Sequence, residues 1–192
     1  MYNEILKRKE KIIITAIDLF YEKGINGLTT KEIARRQSIT EPAIYKQFNS
    51  KKDIVMAILD RCASFDELIK NTIIDNKLVG KEGILYFARV YAEYYQNYPQ
   101  ITTAMFSFDM FRYDVDLLQK MNHIINERSK VIFNLVTKGA EDQDFPVVVD
   151  KQALTDALFG VIWSTTFIWQ MGGCNFDLKD RILKAIDIIL DC

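Results

Sequence analysis

Apolar residues recur at three- and four-residue spacing along almost the whole chain, which predicts helices, while the only strongly β-prone run, the valines at residues 147–149, is too isolated to build a sheet. The first helix is predicted from about Glu4 to Lys23, where Ile12, Ile13, Ala16, Ile17, Leu19 and Phe20 make a broad stripe and Gly24 ends it. Ser50 is a natural N-cap for a helix through Ile54, Val55, Ala57, Ile58 and Leu59 to about Ile73. Residues 75–80 read as a loop. Beyond it the pattern predicts helices over about 81–98, stopped by Pro99, over 99–111, and over 114–138 with Leu118, Met121, Ile125, Ile132 and Leu135 inward. Asp150 and Asp177 are placed to cap two further helices, 151–171 and 177–190, separated by Gly172-Gly173. The expectation is an all-α chain of about nine helices.

Between Thr29 and Phe48 the spacing changes character. Ile33 and Ala34 face inward from one short helix capped by Thr30, Gln37-Ser38-Ile39 makes a turn, and Thr40 opens a second helix with Pro42 in its first turn, where a missing N–H costs nothing. Ile44 and Phe48, four apart, anchor that second helix. Thr40, Glu41, Pro42, Ala43, Tyr45 and Lys46 are left outward, at the end of a helix that could enter a major groove. Small helical bundles contain such turns without touching DNA, so spacing leaves a reading head and a purely structural unit both open.

Charge sharpens the picture. The net charge of the 192 residues is -1, but residues 1–60 carry 11 Lys and Arg against 8 Asp and Glu, so the phosphate-compatible face is predicted in the first third. Lys7, Arg8, Lys9 and Lys11 are either a phosphate-contacting run or a solvated face. Cys62, Cys174 and Cys192 are odd in number and widely spaced, which indicates neither a disulfide framework nor a zinc finger and fits a reducing cytoplasm. The charged N-terminus is no signal peptide, and the most apolar stretch, 157–169, is too short to span a bilayer. A cytoplasmic protein with no membrane partner is expected.

The order Thr29, Ile33-Ala34, Ile39-Thr40, Ile44-Tyr45, Phe48, Ser50-Lys51 and Asp53-Ile54 resembles the N-terminal domain of TetR-family (tetracycline-repressor-like) transcription regulators. Two departures stand out. An Ala-Gly pair usual in the turn is Gln37-Ser38 here, which puts a non-glycine where a left-handed backbone is expected, and a usual His before the closing Phe is Gln47. The resemblance implies a DNA-binding domain at residues 1–67 and an effector-binding and dimerisation domain at 68–192. It implies a dimeric regulator, most simply a repressor, bound to a palindromic operator and released by a small hydrophobic or aromatic effector, with motion along the helix after Ser50 passed to the reading head. Thr29, Thr30, Thr40, Glu41, Pro42, Ala43, Tyr45, Lys46, Gln47 and Lys51 are the expected DNA-binding residues. The competing class is a helical ligand-binding or interaction protein whose helix-turn-helix is only structural.

In the second domain, Phe65, Phe87, Tyr91, Tyr94, Met105, Phe106, Met121 and Trp163 are candidates for an apolar effector pocket, although such a stripe is equally the signature of a core. Arg89 and Arg128 are the cations placed to meet an acidic headgroup. Leu154, Leu158, Ile162, Thr165, Trp169, Ile182, Ile186 and Ile189 span more circumference than one core requires, which predicts a two-helix surface pairing with its own copy as a four-helix bundle, while burial of both helices within one monomer fits the periodicity nearly as well. His123 and Glu127 lie one turn apart, but no third ligand accompanies them, so no metal is expected. No glycine-rich phosphate loop or nucleophile motif is present, so neither an enzyme nor a cofactor is expected.

Overall fold

The computed structural model describes residues 7–144 and 150–191, with the backbone alone at residues 109 and 110. The described chain is all helical: α1 Arg8–Gly27, α2 Thr30–Gln37, α3 Glu41–Tyr45, α4 Lys51–Asp75, α5 Gly80–Asn97, α6 Gln100–Phe106, α7 Phe108–Arg112, α8 Val115–Asp142, α9 Lys151–Met171 and α10 Leu178–Leu190. The predicted start of the first helix and the valine run at 147–149 lie outside the described residues. The extra helix relative to expectation comes from a break at Ser107, whose backbone leaves the helical region (φ -88, ψ 61) while its hydroxyl donates to the Thr103 carbonyl at 2.6 Å.

The helices form two compact units that are interleaved along the chain. Unit 1 comprises residues 1–62 and 100–121, and unit 2 comprises 63–99 and 122–192. Helices α4 and α8 therefore each contribute residues to both.

In unit 1, α1 packs on α2 and α6, and α2 packs on α3. The α1 stripe of Ile12, Ala16 and Leu19 is sealed, and Leu28, Ile33, Ile44, Ile58 and Leu59 close the core around it. Each fully buried Ile or Leu brings about 1.5–3 kcal/mol of transfer free energy, so this small domain holds its two short helices by burial. Gly24 does interrupt α1: its backbone (φ 65, ψ -173) lies in a region an L side chain rarely adopts, and one more turn reaches Gly27.

In unit 2, α10 packs on α5 and α9, and α5 also meets α9. Phe87, Ala88, Tyr91 and Ala92 of α5 are buried with Leu158, Ile162 and Trp169 of α9 and Leu178, Ile182, Ile186 and Leu190 of α10. Gly80 opens α5 with φ +50, where a Cβ would collide with the Asp144 carboxylate. Asp150 caps α9 through the Gln152 and Ala153 amides, and Asp177 caps α10 through the Asp180 amide, as the pattern predicted.

The α8 register differs from expectation. Leu118 is 39% exposed, whereas Leu117, Met121, Ile124, Arg128, Ile132 and Leu135 are buried. The inward row contains an arginine, so a reading that demands apolar residues at every inward position slips one residue to Leu118 and Ile125.

Candidate nucleic-acid interface

The reading head is built in unit 1 by capping and by one strained turn. Thr29, rather than the predicted Thr30, is the N-cap of α2, and its hydroxyl accepts from the Glu32 amide at 3.1 Å. The helix ends at Ser38, whose backbone is left-handed (φ 52, ψ 42) and whose N–H closes on the Ala34 and Arg35 carbonyls. A non-glycine thus does occupy that conformation, at a cost of order 1 kcal/mol. Its neighbour Gln37 donates a side-chain hydrogen bond to the buried Thr15 hydroxyl of α1, which ties the turn to the domain's first helix. Ile39 is half-buried after the turn.

Thr40 occupies the N-cap position of α3 without a side-chain cap bond, and Pro42 falls in the first turn. Ile44 and Phe48 are buried and fix the helix from beneath. On the opposite side Thr40, Pro42, Tyr45, Lys46 and Gln47 are exposed, Ala43 and Glu41 are half-buried, and Tyr45 shows 51% of its surface. Thr30 Oγ1 donates to Glu41 Oε2 at 2.8 Å and lies 3.4 Å from the Tyr45 hydroxyl, so the start of α2 and the face of α3 share one small polar cluster. Thr30, Glu41 and Tyr45 are brought together; Thr29 serves the backbone cap instead.

Lys51 departs from expectation. Its ammonium donates to the Ile25 carbonyl at 2.5 Å, and burial lowers its pKa. It braces the last turn of α1, and the exposed cations on this side include Lys31 and Lys46. Ser50 and Asp53 form a reciprocal cap at the start of α4: the Asp53 amide donates to Ser50 Oγ at 3.1 Å, and the Asn49 amide donates to Asp53 Oδ2 at 2.9 Å. Behind the reading face, Glu32 receives Arg35 at 2.9 Å and Lys23 at 2.9 Å, and Arg36 donates to Glu22 at 2.9 Å. Those bonds hold the Glu32 carboxyl well below the usual carboxylate range, with Arg35 the larger cause. A left-handed Ser38, a tethered Gln37 and two short helices crossing over Ile33, Ile44 and Phe48 amount to a helix-turn-helix with its second helix presented outward.

Residues 12–58 match the profile described as bacterial regulatory proteins, tetR family, and residues 63–192 match that of the YsiA-like protein C-terminal region. The chain belongs to the TetR family. It is a transcriptional regulator whose helix-turn-helix domain binds DNA. Among its relatives, the fatty acid metabolism regulator protein of Bacillus subtilis is 22% identical over 187 residues, covering 94% of this chain and 92% of that one. The biofilm operon icaADBC negative transcriptional regulator IcaR of Staphylococcus aureus (strain Newman) is 42% identical over 69 residues, 36% of each chain. The crystal structure of the Bacillus subtilis transcriptional regulator FadR in complex with stearoyl-CoA superposes with a TM-score of 0.81 at 19% identity, covering 95% of this chain and 98% of that one.

The other predicted sites of this TetR-family chain divide between the units. Phe65, Phe87, Tyr91 and Tyr94 meet in unit 2: Phe65 stacks on Tyr94 at 3.9 Å between ring centroids and sits edge-on to Tyr91 at 5.9 Å, and Phe87 lies 4.6 Å from Tyr91. Trp163 stacks on Phe159 at 5.7 Å. Met105, Phe106 and Met121 belong to unit 1, where Phe106 lines a cavity of about 420 Å³ with Phe20, Gly24, Ile25, Thr103, Ser107 and Phe108. The single pocket set expected from sequence is thus split. A cavity of about 450 Å³ in unit 2 is lined by Asn76, Leu78, Glu82, Leu85, Tyr86 and Arg89, with the Arg89 guanidinium 5.6 Å from the Tyr86 ring.

Arg128 is not a solvated cation. It is 5% exposed, donates to both carboxylate oxygens of Asp66 at 2.8 and 2.9 Å and to the Tyr95 hydroxyl at 3.2 Å, and lies over the Tyr91 ring at 4.8 Å, while the Tyr91 hydroxyl also bonds Asp66. The expected pairing face also needs correction. Leu158, Ile162, Trp169, Ile182 and Ile186 are buried inside unit 2, and Leu154, Thr165 and Ile189 are half-buried. The large apolar side chains that α9 and α10 expose are Phe167 (42%), Ile168 (57%), Met171 (73%) and Ile188 (67%). Thr155 and Thr166 explain the misreading: both face inward, because each hydroxyl is satisfied by the carbonyl four residues before it. Among the described residues no cluster of three or more metal-ligating side chains occurs, and no helix is long and apolar enough to cross a membrane.

Proposed function

We propose that the chain acts as a homodimeric repressor that holds a two-fold symmetric operator and releases it when unit 2 binds a largely apolar effector. The observation that carries this reading is the polar face of α3, with Tyr45, Lys46 and Gln47 exposed and Thr30, Glu41 and Tyr45 clustered, above a buried Ile44–Phe48 anchor. Thr40, Glu41, Pro42, Ala43, Tyr45, Lys46 and Gln47 are the groove-facing set, and Thr29 lies beside them at the start of α2.

Dimerisation is supported by the outer face of α9, where Ala157, Gly160, Ser164, Ile168 and Met171 follow one another at three- and four-residue steps. A Cβ at Gly160 would meet nothing within 4 Å, so that stripe lets another helix approach closely. With Ile188 of α10 it offers a self-complementary apolar surface of the kind a two-fold interface requires. Ile168→Arg is expected to convert the dimer to monomer in sedimentation velocity, with an unchanged circular dichroism spectrum.

For the effector, the aromatic cluster around Phe65 and Tyr94 and the Arg89-lined cavity favour an apolar body with an acidic head. The stearoyl-CoA held by the Bacillus subtilis neighbour makes a long-chain acyl thioester the first compound to try. By linkage, an effector lowers operator affinity only by its differential affinity for the two states.

The experiment is selection of bound sequences from random double-stranded DNA with the full chain, followed by titration of stearoyl-CoA into the resulting complex. A palindromic enriched site, with half-sites about one helical turn apart or a multiple, is expected. A failure to enrich any sequence would support the structural helix-turn-helix instead.

A further inference from the structure

Glu41 is an anomaly on a surface that meets a polyanion. A carboxylate near phosphates weakens binding to every sequence alike, so its presence on the reading face calls for a specific return. A hydrogen bond within α3 does not supply it, although the helix dipole favours a carboxylate in the first turn. Glu41 is the first residue of α3, Pro42 has no N–H to donate, and the Ala43 amide is already bonded to the Thr40 carbonyl at 3.0 Å. The carboxylate is instead steered from outside the helix: Thr30 Oγ1 donates to Oε2 at 2.8 Å, and the same hydroxyl lies 3.4 Å from the Tyr45 phenol. No protein donor is found on Oε1 among the described residues.

We infer that Glu41 is the base-selecting residue of α3 and that it selects cytosine. This rests on the reading that α3 enters the major groove. An ionised carboxylate accepts hydrogen bonds and donates none. Guanine presents two acceptors, O6 and N7, and thymine presents O4 beside a methyl group, so both repel it. Adenine offers its N6 amine beside the N7 acceptor, which faces the second carboxylate oxygen unfavourably. Cytosine offers its N4 amine beside C5–H, an edge without an acceptor. Thr30 holds Oε2 and leaves Oε1 to take the amine, so the side chain reaches the groove already oriented. The half-site position facing Glu41 is therefore a C·G pair, read from the cytosine strand.

The test is selection from random duplex DNA by three full-length proteins: the unsubstituted chain, Glu41→Gln and Glu41→Ala. The unsubstituted chain is expected to enrich a symmetric site with a strongly preferred C in each half. Changing that C·G to T·A should weaken its binding about tenfold or more, within the range of a good side-chain–base contact. Glutamine, which both donates and accepts, should move the preference at that position to A with the other positions unchanged. Alanine should relax that position to all four bases, and at moderate salt its affinity for random DNA should equal or exceed that of the unsubstituted chain, because a negative charge has gone. Identical base preferences in all three proteins, with only overall affinity changed, would overturn the assignment and leave Glu41 a structural residue. A preference for G or T at the affected position would overturn the choice of cytosine. Enrichment of no sequence by the unsubstituted chain would instead bring down the DNA-reading role of α3 itself, a separate failure.

Discussion

Glu32 in unit 1 and Asp66 in unit 2 are each bonded by arginine, and the contrast between their surroundings shows how the chain uses charge. Around Glu32 the partners Lys23 and Arg35 have 47% and 69% of their side chains exposed, so the network is wet and screened. It trims the orientation of α2 behind the reading face and leaves cations at the surface. The side chains of Asp66 and Arg128 are 13% and 6% exposed, are bonded through both carboxylate oxygens, and are surrounded by Tyr91, Tyr95 and Phe65. A pair so placed has lost its water and persists because every polar atom has a partner. One network can rearrange when DNA arrives at little cost; the other fixes which residues of α4 and α8 face each other in unit 2.

The contrast breaks most visibly at Arg128. Arg128→Ala strands Asp66 in an apolar surround and is expected to cost about 3–5 kcal/mol in urea unfolding, whereas replacing both partners, Asp66→Leu with Arg128→Met, should restore most of that stability. A loss below about 1 kcal/mol for Arg128→Ala would put this pair in the same class as the Glu32 network. Ser38 gives a smaller effect of opposite sign. Because its backbone is left-handed (φ 52), Ser38→Gly should stabilise unit 1 by about 0.4–1 kcal/mol, visible as a higher thermal midpoint with DNA affinity retained.

The smallest effect belongs to Glu32. Its folded pKa is depressed by Arg35 and Lys23, so its stabilisation is fully present above the unfolded glutamate value of about 4.3 and is lost as pH falls from there through the folded value. Glu32→Gln should flatten that acid limb in melts taken across mildly acidic pH, and high salt should shrink the difference. The Asp66–Arg128 pair, shielded from ions, should show no comparable salt dependence.

These contrasts also explain what the sequence disclosed. The helix-turn-helix was legible because its signals are local: Ile33-Ala34, Pro42 and the Ile44–Phe48 step declare two helices and a turn within twenty residues, and the resemblance to the family's Ala-Gly turn pointed to a left-handed backbone at Ser38. Local cues misplaced only the cap, which is Thr29 rather than Thr30, because two adjacent threonines offer the same chemistry. The long helices were harder to read. Arg128 occupies an inward position of α8 and Thr155 and Thr166 occupy inward positions of α9, so an apolar-stripe reading turned both helices: Leu118 was placed inside, and the buried Leu158, Ile162 and Trp169 were placed outside. What satisfies each polar group is either a carbonyl on the same helix or, for Arg128, a residue 62 positions away in the chain, which no periodicity reveals. Lys51 failed for a related reason, since its carbonyl partner on Ile25 carries no sequence signal.

The most direct measurement of the central claim, that the outward face of α3 reads DNA, is fluorescence anisotropy of the full chain on its selected duplex and on a scrambled one, with and without Tyr45→Ala. The substitution should weaken binding to the selected duplex about tenfold or more, a loss of roughly 1.4 kcal/mol, with an unchanged melting temperature. Undiminished affinity for the selected duplex, with the fold intact, would contradict the account.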